Sequence, residues 1–437
     1  MMPGNPTIWP ISAALGPQGQ LMIAGCDTLE LARTHGTPLY LFDEATIRQQ
    51  CAAFRDTLAA AYAGETQVHY AGKALITSAL VQIIESEGLG LDVVSGGELY
   101  MAQQVGFPAS RIHMHGNAKP MRELREAVAA GIGQIVVDNL DELAALAAIT
   151  TEQTTPQPIA LRIAPGITTD THAHIQTGQH DSKFGLPLDA LPAVVARLRT
   201  APGLQLVALH CHLGSQIFAH EPFAQAVAVL LDCAVQLRDD GILVQEINTG
   251  GGIGVPYIAG QQLPDIGAYA AQLAQAMTAG CAARGLPLLR LAIEPGRAII
   301  ARAGVALYGV VGRKVPPSGQ PYLHLDGGMA DNPRPALYGA RYTAVLAARP
   351  AAAAAGLVHL AGRYCESGDV LLRDCPLPAA TPGDVVALAA AGAYTLSMAS
   401  NYNQVPRPAV LLLRAGQATV IRRRETYADL MRLEMMV

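Results

Sequence analysis

Between residues 67 and 293 two kinds of stretch alternate along the chain. Short apolar or alternating runs bounded by turn residues fall at 67–71, 90–94, 111–115, 134–137, 159–163, 206–212, 244–248 and 289–293. Between them apolar residues recur at helical spacing, as in 76–87, 98–105, 121–130 and 140–149. Eight strands alternating with helices over about 250 residues predict a (β/α)8 barrel of the TIM type. A doubly wound open sheet would show the same alternation. The polar and glycine residues favour the barrel. Lys73, Asp92, His115, Asp138, Arg162, His212, Gly250 and Glu294 each stand at or just beyond the C-terminal end of a successive predicted strand. Barrel enzymes build their sites on that face, where loops vary freely while the strands fix the geometry.

After Arg297 the rhythm changes. Runs at 305–315, 322–325, 358–361, 385–389, 409–413 and 419–422 are short and split by Pro, Gly and Asp, without long helical stretches between them. They predict a mainly β C-terminal domain. Strand-like pieces at 21–23 and 38–42 are expected to complete it from the N-terminus. The expected division is therefore 1–43 (N-terminal strands), 44–300 (barrel) and 301–437 (β domain).

Composition narrows the classes. Of 437 residues, 51% are apolar and 15% charged, which excludes disorder and promises a large core. Thirty basic against 35 acidic residues leave a net charge of −5 without basic clusters, which argues against a nucleic-acid partner. No apolar run reaches the ~18 residues of a membrane helix, and residues 1–15 lack the basic start of a secretory signal. The seven cysteines are thinly spread, with no Cys-x-x-Cys pair. Reduced thiols in the cytoplasm are expected, rather than a disulfide framework or a zinc knuckle.

Three features carry candidate chemistry. Lys73, in Tyr70-Ala71-Gly72-Lys73, ends the first strand at the barrel mouth, where a desolvated amine could form a Schiff base. Gly250-Gly251-Gly252-Ile253-Gly254 follows the seventh strand and Glu294-Pro295-Gly296-Arg297 the eighth, the two loops that typically form a barrel phosphate site. A Schiff-base lysine with a phosphate site suggests pyridoxal phosphate (PLP). Glu294 fits it as the carboxylate that keeps a pyridine nitrogen protonated. His210 and His212 alternate on the sixth strand; no further ligands at metal-like spacing accompany them. In a PLP site His212 would stack on the ring and Ser215 would touch the phosphate.

Nearly end to end, these segments resemble the diaminopimelate decarboxylases among the fold type III (alanine racemase-like) PLP enzymes. Besides those quoted, the resemblance rests on Asp92-Val93-Val94-Ser95-Gly96-Gly97-Glu98-Leu99, His210-Cys211-His212-Leu213-Gly214-Ser215-Gln216 and Asn248-Thr249-Gly250-Gly251-Gly252. It continues through Arg334-Pro335-Ala336-Leu337-Tyr338, Cys365-Glu366-Ser367-Gly368-Asp369, Gly392-Ala393-Tyr394 and Ser400-Asn401-Tyr402-Asn403.

The resemblance implies decarboxylation of meso-2,6-diaminopimelate to L-lysine and CO2, the last step of lysine biosynthesis. Relatives acting on ornithine, arginine or carboxynorspermidine are the alternative, and a metal-dependent barrel hydrolase a more distant one. It implies catalytic roles for Lys73, His212, Glu294 and Cys365, the last as proton donor. Asp92, Ser215, Gly250, Gly251, Gly252, Gly296, Arg297 and Tyr394 would contact the cofactor. Arg297, Arg334 and Tyr338 would hold substrate carboxylates, Glu366 the remote ammonium, and Tyr394 would lie beside cofactor and substrate. It also implies a homodimer in which Cys365 and Glu366 reach the partner's site.

Overall fold

The computed structural model describes residues 6–167 and 183–436. The chain divides into two compact units. One comprises residues 50–254 and 264–296, and the other residues 1–49, 255–263 and 297–437.

The first unit contains a closed parallel barrel of eight strands: Thr66–Ala71, Gly90–Val93, Ile112–Met114, Gln134–Val137, Gln157–Arg162, Leu204–His210, Glu246–Asn248 and Arg290–Ile293. Each matches a predicted run to within two residues at either end. The loops leaving the strands turn into helices at polar caps. Thr77, Ser95 and Asn139 accept the backbone N–H groups of Leu80, Glu98 and Glu142, each satisfying a donor that the first helical turn leaves open. Parallel register fixes which side chains share a level inside the barrel. Ala71 pairs with Asp92 and Asp92 with His113, while His210 pairs with both Arg162 and Asn248. Gly90 makes room beside its partner His69, because a Cβ there would lie 2.2 Å from the imidazole Nδ1.

The second unit is mainly β. Its large sheet runs in the order Val370–Leu377, Gly356–Ala361, Tyr322–Leu325, Gly304–Lys314, Leu39–Asp43, Ala409–Arg414 and Gln417–Arg422. Val385–Leu388 pairs with the central Gly304–Lys314 strand, and Ala344–Leu346 pairs in turn with Val385–Leu388. The N-terminal strand Leu39–Asp43 lies in the middle of this sheet, antiparallel to one neighbour and parallel to the other. Leu21–Ile23 instead belongs to a separate three-stranded sheet whose apolar faces pack with Leu39, Leu41, Val305 and Leu411. The pattern did not reveal Val370–Leu377. It is an edge strand carrying Arg373, Asp374 and Pro376, the composition edge strands use to resist further pairing.

Candidate active site

The eight strand-end residues do converge on the C-terminal face of the barrel unit. Lys73 lies in a short 3₁₀ turn, Gly72–Ala74, directly after the first strand, with its side chain exposed rather than desolvated. Asp92, His115, Asp138, Arg162 and Glu294 are buried.

Glu294 is the hub. Asn248 donates from Nδ2 to its Oε1 at 2.8 Å, and His210 Nε2 lies 3.1 Å from its Oε2. His115 Nε2 lies 3.2 Å from Oε1 and 3.6 Å from Oδ1 of Asp92. Burial alone would push the Glu294 carboxyl up, but His115 and His210 hold it well below the usual carboxylate range. Burial likewise pulls His115 down, and the charges of Glu294 and Asp92 reverse this, raising it to about 9. Asp92 rises to about 7 through burial and the repulsion of Glu294. At neutral pH the cluster therefore contains an ionised Glu294 and a charged His115.

Below this level His69 and His113 stack, with ring centroids 3.7 Å apart, and His69 Nδ1 lies 3.4 Å from Asp92. Desolvation lowers both imidazoles, His69 to about 3, so both are neutral. The fold thus brings together two triads, His69–Asp92–His113 and His115–His210–Glu294, that spacing along the chain conceals. In the second triad His115 and His210 meet opposite oxygens of Glu294.

The glycine loop after the seventh strand packs against the sixth and eighth. A Cβ on Gly250 would lie 2.4 Å from the Cys211 carbonyl oxygen, on Gly251 2.1 Å from that of Glu294, and on Gly252 2.3 Å from that of Gly214. No side chain fits, so only glycines let this loop pack directly on the backbone of its neighbours. Gly251 N–H donates to His212 Nδ1 at 3.2 Å, which fixes the ring orientation and tautomer. Desolvation holds His212 well below its ordinary value, so it presents a neutral ring face. His212 lies past the end of its strand, not on the alternating face expected of it. Ser215 is half-buried in the same loop, and Gly296 packs close to Ala71 of the first strand.

In the second unit Arg297, Arg334, Tyr257, Tyr342 and Tyr394 form an arginine–tyrosine cluster. The Arg297 guanidinium lies 4.6 Å from the Tyr394 ring centroid and donates to the Tyr257 hydroxyl at 2.8 Å. Arg334 lies 4.5 Å from the Tyr257 ring centroid and bonds the Tyr342 hydroxyl. Tyr394 has a φ of 57°, a left-handed conformation costly for an aromatic residue and typical of functional sites. Tyr338 is half-buried at the end of the short helix that starts at Arg334. Sequence reasoning missed Tyr257 and Tyr342, although the Arg-Pro-Ala-Leu-Tyr segment ends only four residues before Tyr342.

Cys365 and Glu366 sit on an exposed loop of this second unit. Asp369 anchors the loop, accepting the Tyr364 and Met329 N–H groups at 2.8 and 2.7 Å. Asn403 accepts the Cys365 N–H at 2.9 Å. The other six cysteines are buried, so Cys365 is the one accessible thiol.

A closed barrel with a strand-end lysine, a close-packed glycine loop and a buried carboxylate hub is the architecture of a PLP-dependent enzyme. Residues 44–301, more than half of the chain, match the family model for the pyridoxal-binding domain of pyridoxal-dependent decarboxylases. The chain is 44% identical over 424 residues to the diaminopimelate decarboxylase of Halalkalibacterium halodurans, covering 96% of both proteins. It is 42% identical over 436 residues to that of Synechocystis, covering 98% of this chain and 93% of the relative. The crystal structure of diaminopimelate decarboxylase from M. jannaschii in complex with L-lysine superposes with a TM-score of 0.90 at 33% identity, covering 98% of each chain. The chain belongs to the diaminopimelate decarboxylase family of pyridoxal-dependent decarboxylases.

Proposed function

We propose that this protein converts meso-2,6-diaminopimelate to L-lysine and CO2 with pyridoxal 5′-phosphate as cofactor. The observation that carries the reading is the Glu294 hub. A buried carboxylate kept ionised by His115, His210 and Asn248 is the group a pyridine nitrogen needs in order to stay protonated. When bound, pyridoxal phosphate supplies a ring that accepts the electron pair left on the substrate carbon as CO2 departs.

The residues divide the remaining work. Lys73 would hold the cofactor covalently through Nζ, and His212 would pack its neutral ring against it. Ser215, the glycines 250–252, Gly296 and Arg297 would bind its phosphate, with Asp92 and Tyr394 completing the contacts. Arg297, Arg334 and Tyr338 would hold carboxylates of the substrate, and Glu366 its remote ammonium. Cys365 would keep a proton on Sγ for delivery to the substrate carbon. Its exposure supports a homodimer in which the 364–369 loop serves the partner's site. Seven reduced thiols fit a reducing cytoplasm, and among the described residues no helix is long and apolar enough to cross a membrane.

The deciding experiment is product analysis. Meso-diaminopimelate should yield lysine and CO2 in equal amounts, with ornithine, arginine and carboxynorspermidine turned over at least a hundredfold less well. Preferred release of CO2 from one of those three would reassign the substrate.

A further inference from the structure

The arginines expected to meet the substrate are both buried against the same phenol. Arg334 has no carboxylate partner among the described residues; the groups it faces are the Tyr257 ring and the Tyr342 hydroxyl. A guanidinium removed from water without a carboxylate is costly, and it is retained where an anionic ligand completes the pairing. Tyr257 touches both cations in different ways. Its hydroxyl accepts from Arg297 Nη1 at 2.8 Å, while its ring lies 4.5 Å from the Arg334 guanidinium carbon.

Tyr257 is itself fixed. Thr343 Oγ1 donates to its backbone carbonyl at 3.0 Å, and the Tyr342 ring meets it edge-on at 5.3 Å. One rigid aromatic ring thus restrains two long, rotamer-rich side chains. Burial would raise the Tyr257 phenol, but Arg297 and then Arg334 pull it below its ordinary value. Its oxygen already accepts from Arg297, an interaction that a ligand carboxylate would supplement.

We propose that Tyr257 is a positioning residue for substrate specificity, holding Arg297 and Arg334 ready to bind a carboxylate of an amino-acid ligand. This rests on the proposed function for the identity of the substrate, but not for the test. L-Lysine and cadaverine have the same carbon chain and amines, and differ by one carboxylate. If Tyr257 acts through the arginines, its removal must weaken lysine and spare cadaverine.

The test is calorimetric binding of each ligand to the holoenzyme, for the parent, Tyr257→Phe and Tyr257→Leu, with melting curves to confirm folding. Tyr257→Phe removes one hydrogen bond to a charged group and keeps the ring, so lysine affinity should fall about tenfold. Tyr257→Leu removes the ring as well, and lysine should weaken about a hundredfold. Cadaverine should change by less than about twofold in both. In steady-state assays with meso-diaminopimelate, Tyr257→Phe should raise KM about tenfold with kcat within about twofold. Equal loss of lysine and cadaverine, no loss of either, or a fall in kcat at constant KM would overturn the inference. Should the parent release no CO2 from diaminopimelate, the substrate assignment falls, while the lysine–cadaverine comparison still decides the role of Tyr257.

Discussion

His115 Nε2 lies 3.2 Å from Glu294 Oε1, joining the third and eighth strands across the interior of the barrel. The contact has a consequence for stability. His115 is raised from 6.5 to about 9, so the folded protein binds its proton more tightly than the unfolded chain does. That stabilisation is fully present below pH 6.5 and is lost as pH rises through 9. It is on the order of 3 kcal/mol at one pKa unit per 1.36 kcal/mol. His69 and His210 act in the opposite direction, lowered to about 3 and about 4 chiefly by burial. Both remain neutral in the fold while the unfolded chain takes up protons below 6.5, so stability falls as pH drops from 6.5 toward 4. We expect a melting-temperature maximum near pH 6.5, with an alkaline decline running from there to about pH 9. His115→Gln should remove the alkaline decline and leave the acid one, as thermal melts across pH would show.

Glu294→Gln keeps the shape of the hub but removes its charge and replaces one of its two accepting oxygens by a donor. His115 then loses its stronger counter-charge, and a pyridine nitrogen bound there loses its carboxylate. We expect kcat to fall about a hundredfold or more, the scale of a lost preorganised electrostatic partner. The alkaline limb of the melting profile should also move to lower pH, because only Asp92 remains to hold the His115 proton. Activity within about threefold of the parent would reduce Glu294 to a structural carboxylate.

The barrel was legible because strand period, turn residues and helix caps are local properties. A polar residue or glycine at or near the end of every predicted strand was equally visible. The array around Glu294 was not. Asp92 meets His113 through strand register, and His115 meets Glu294 across the barrel, over separations that spacing along the chain cannot encode. Tyr257 was lost for a different reason. It lies in a loop without periodicity, and its importance appears only when its neighbours Arg297 and Arg334, 40 and 77 residues further along, fold beside it. Desolvation of Lys73 was a natural expectation for a Schiff-base amine, but its side chain is exposed.

Lys73 is held in place by its backbone turn, and its exposed side chain contributes little to packing. Lys73→Ala should therefore melt within about 2 °C of the parent while losing nearly all activity, since exposed substitutions usually shift stability by less than ~0.5 kcal/mol. Borohydride reduction of the parent should fix pyridoxyl mass on the peptide carrying Lys73. Mass on another lysine would contradict its role.

Cys365 and Lys73 allow the shared-site arrangement to be tested by mixing inactive subunits. Cys365 belongs to the loop anchored by Asp369 and Asn403, with its thiol open to solvent, whereas Lys73 belongs to the barrel unit. Cys365→Ala should lack the proton donor in every site, and Lys73→Ala should lack the attachment point in every site. In a homodimer whose loops serve the opposite subunit, a hybrid has one site with both lesions and one with neither. Random exchange makes half of the dimers hybrids with one of two sites intact, so about a quarter of parental activity should return, as twofold symmetry requires. Glu366→Ala in place of Cys365→Ala should complement equally, because both residues are carried by the same loop. If subunit exchange is verified by native mass spectrometry and activity still stays near zero, Cys365 acts within its own chain. If Cys365→Ala complements and Glu366→Ala does not, the loop reaches the partner's site but Glu366 does not bind the ammonium there.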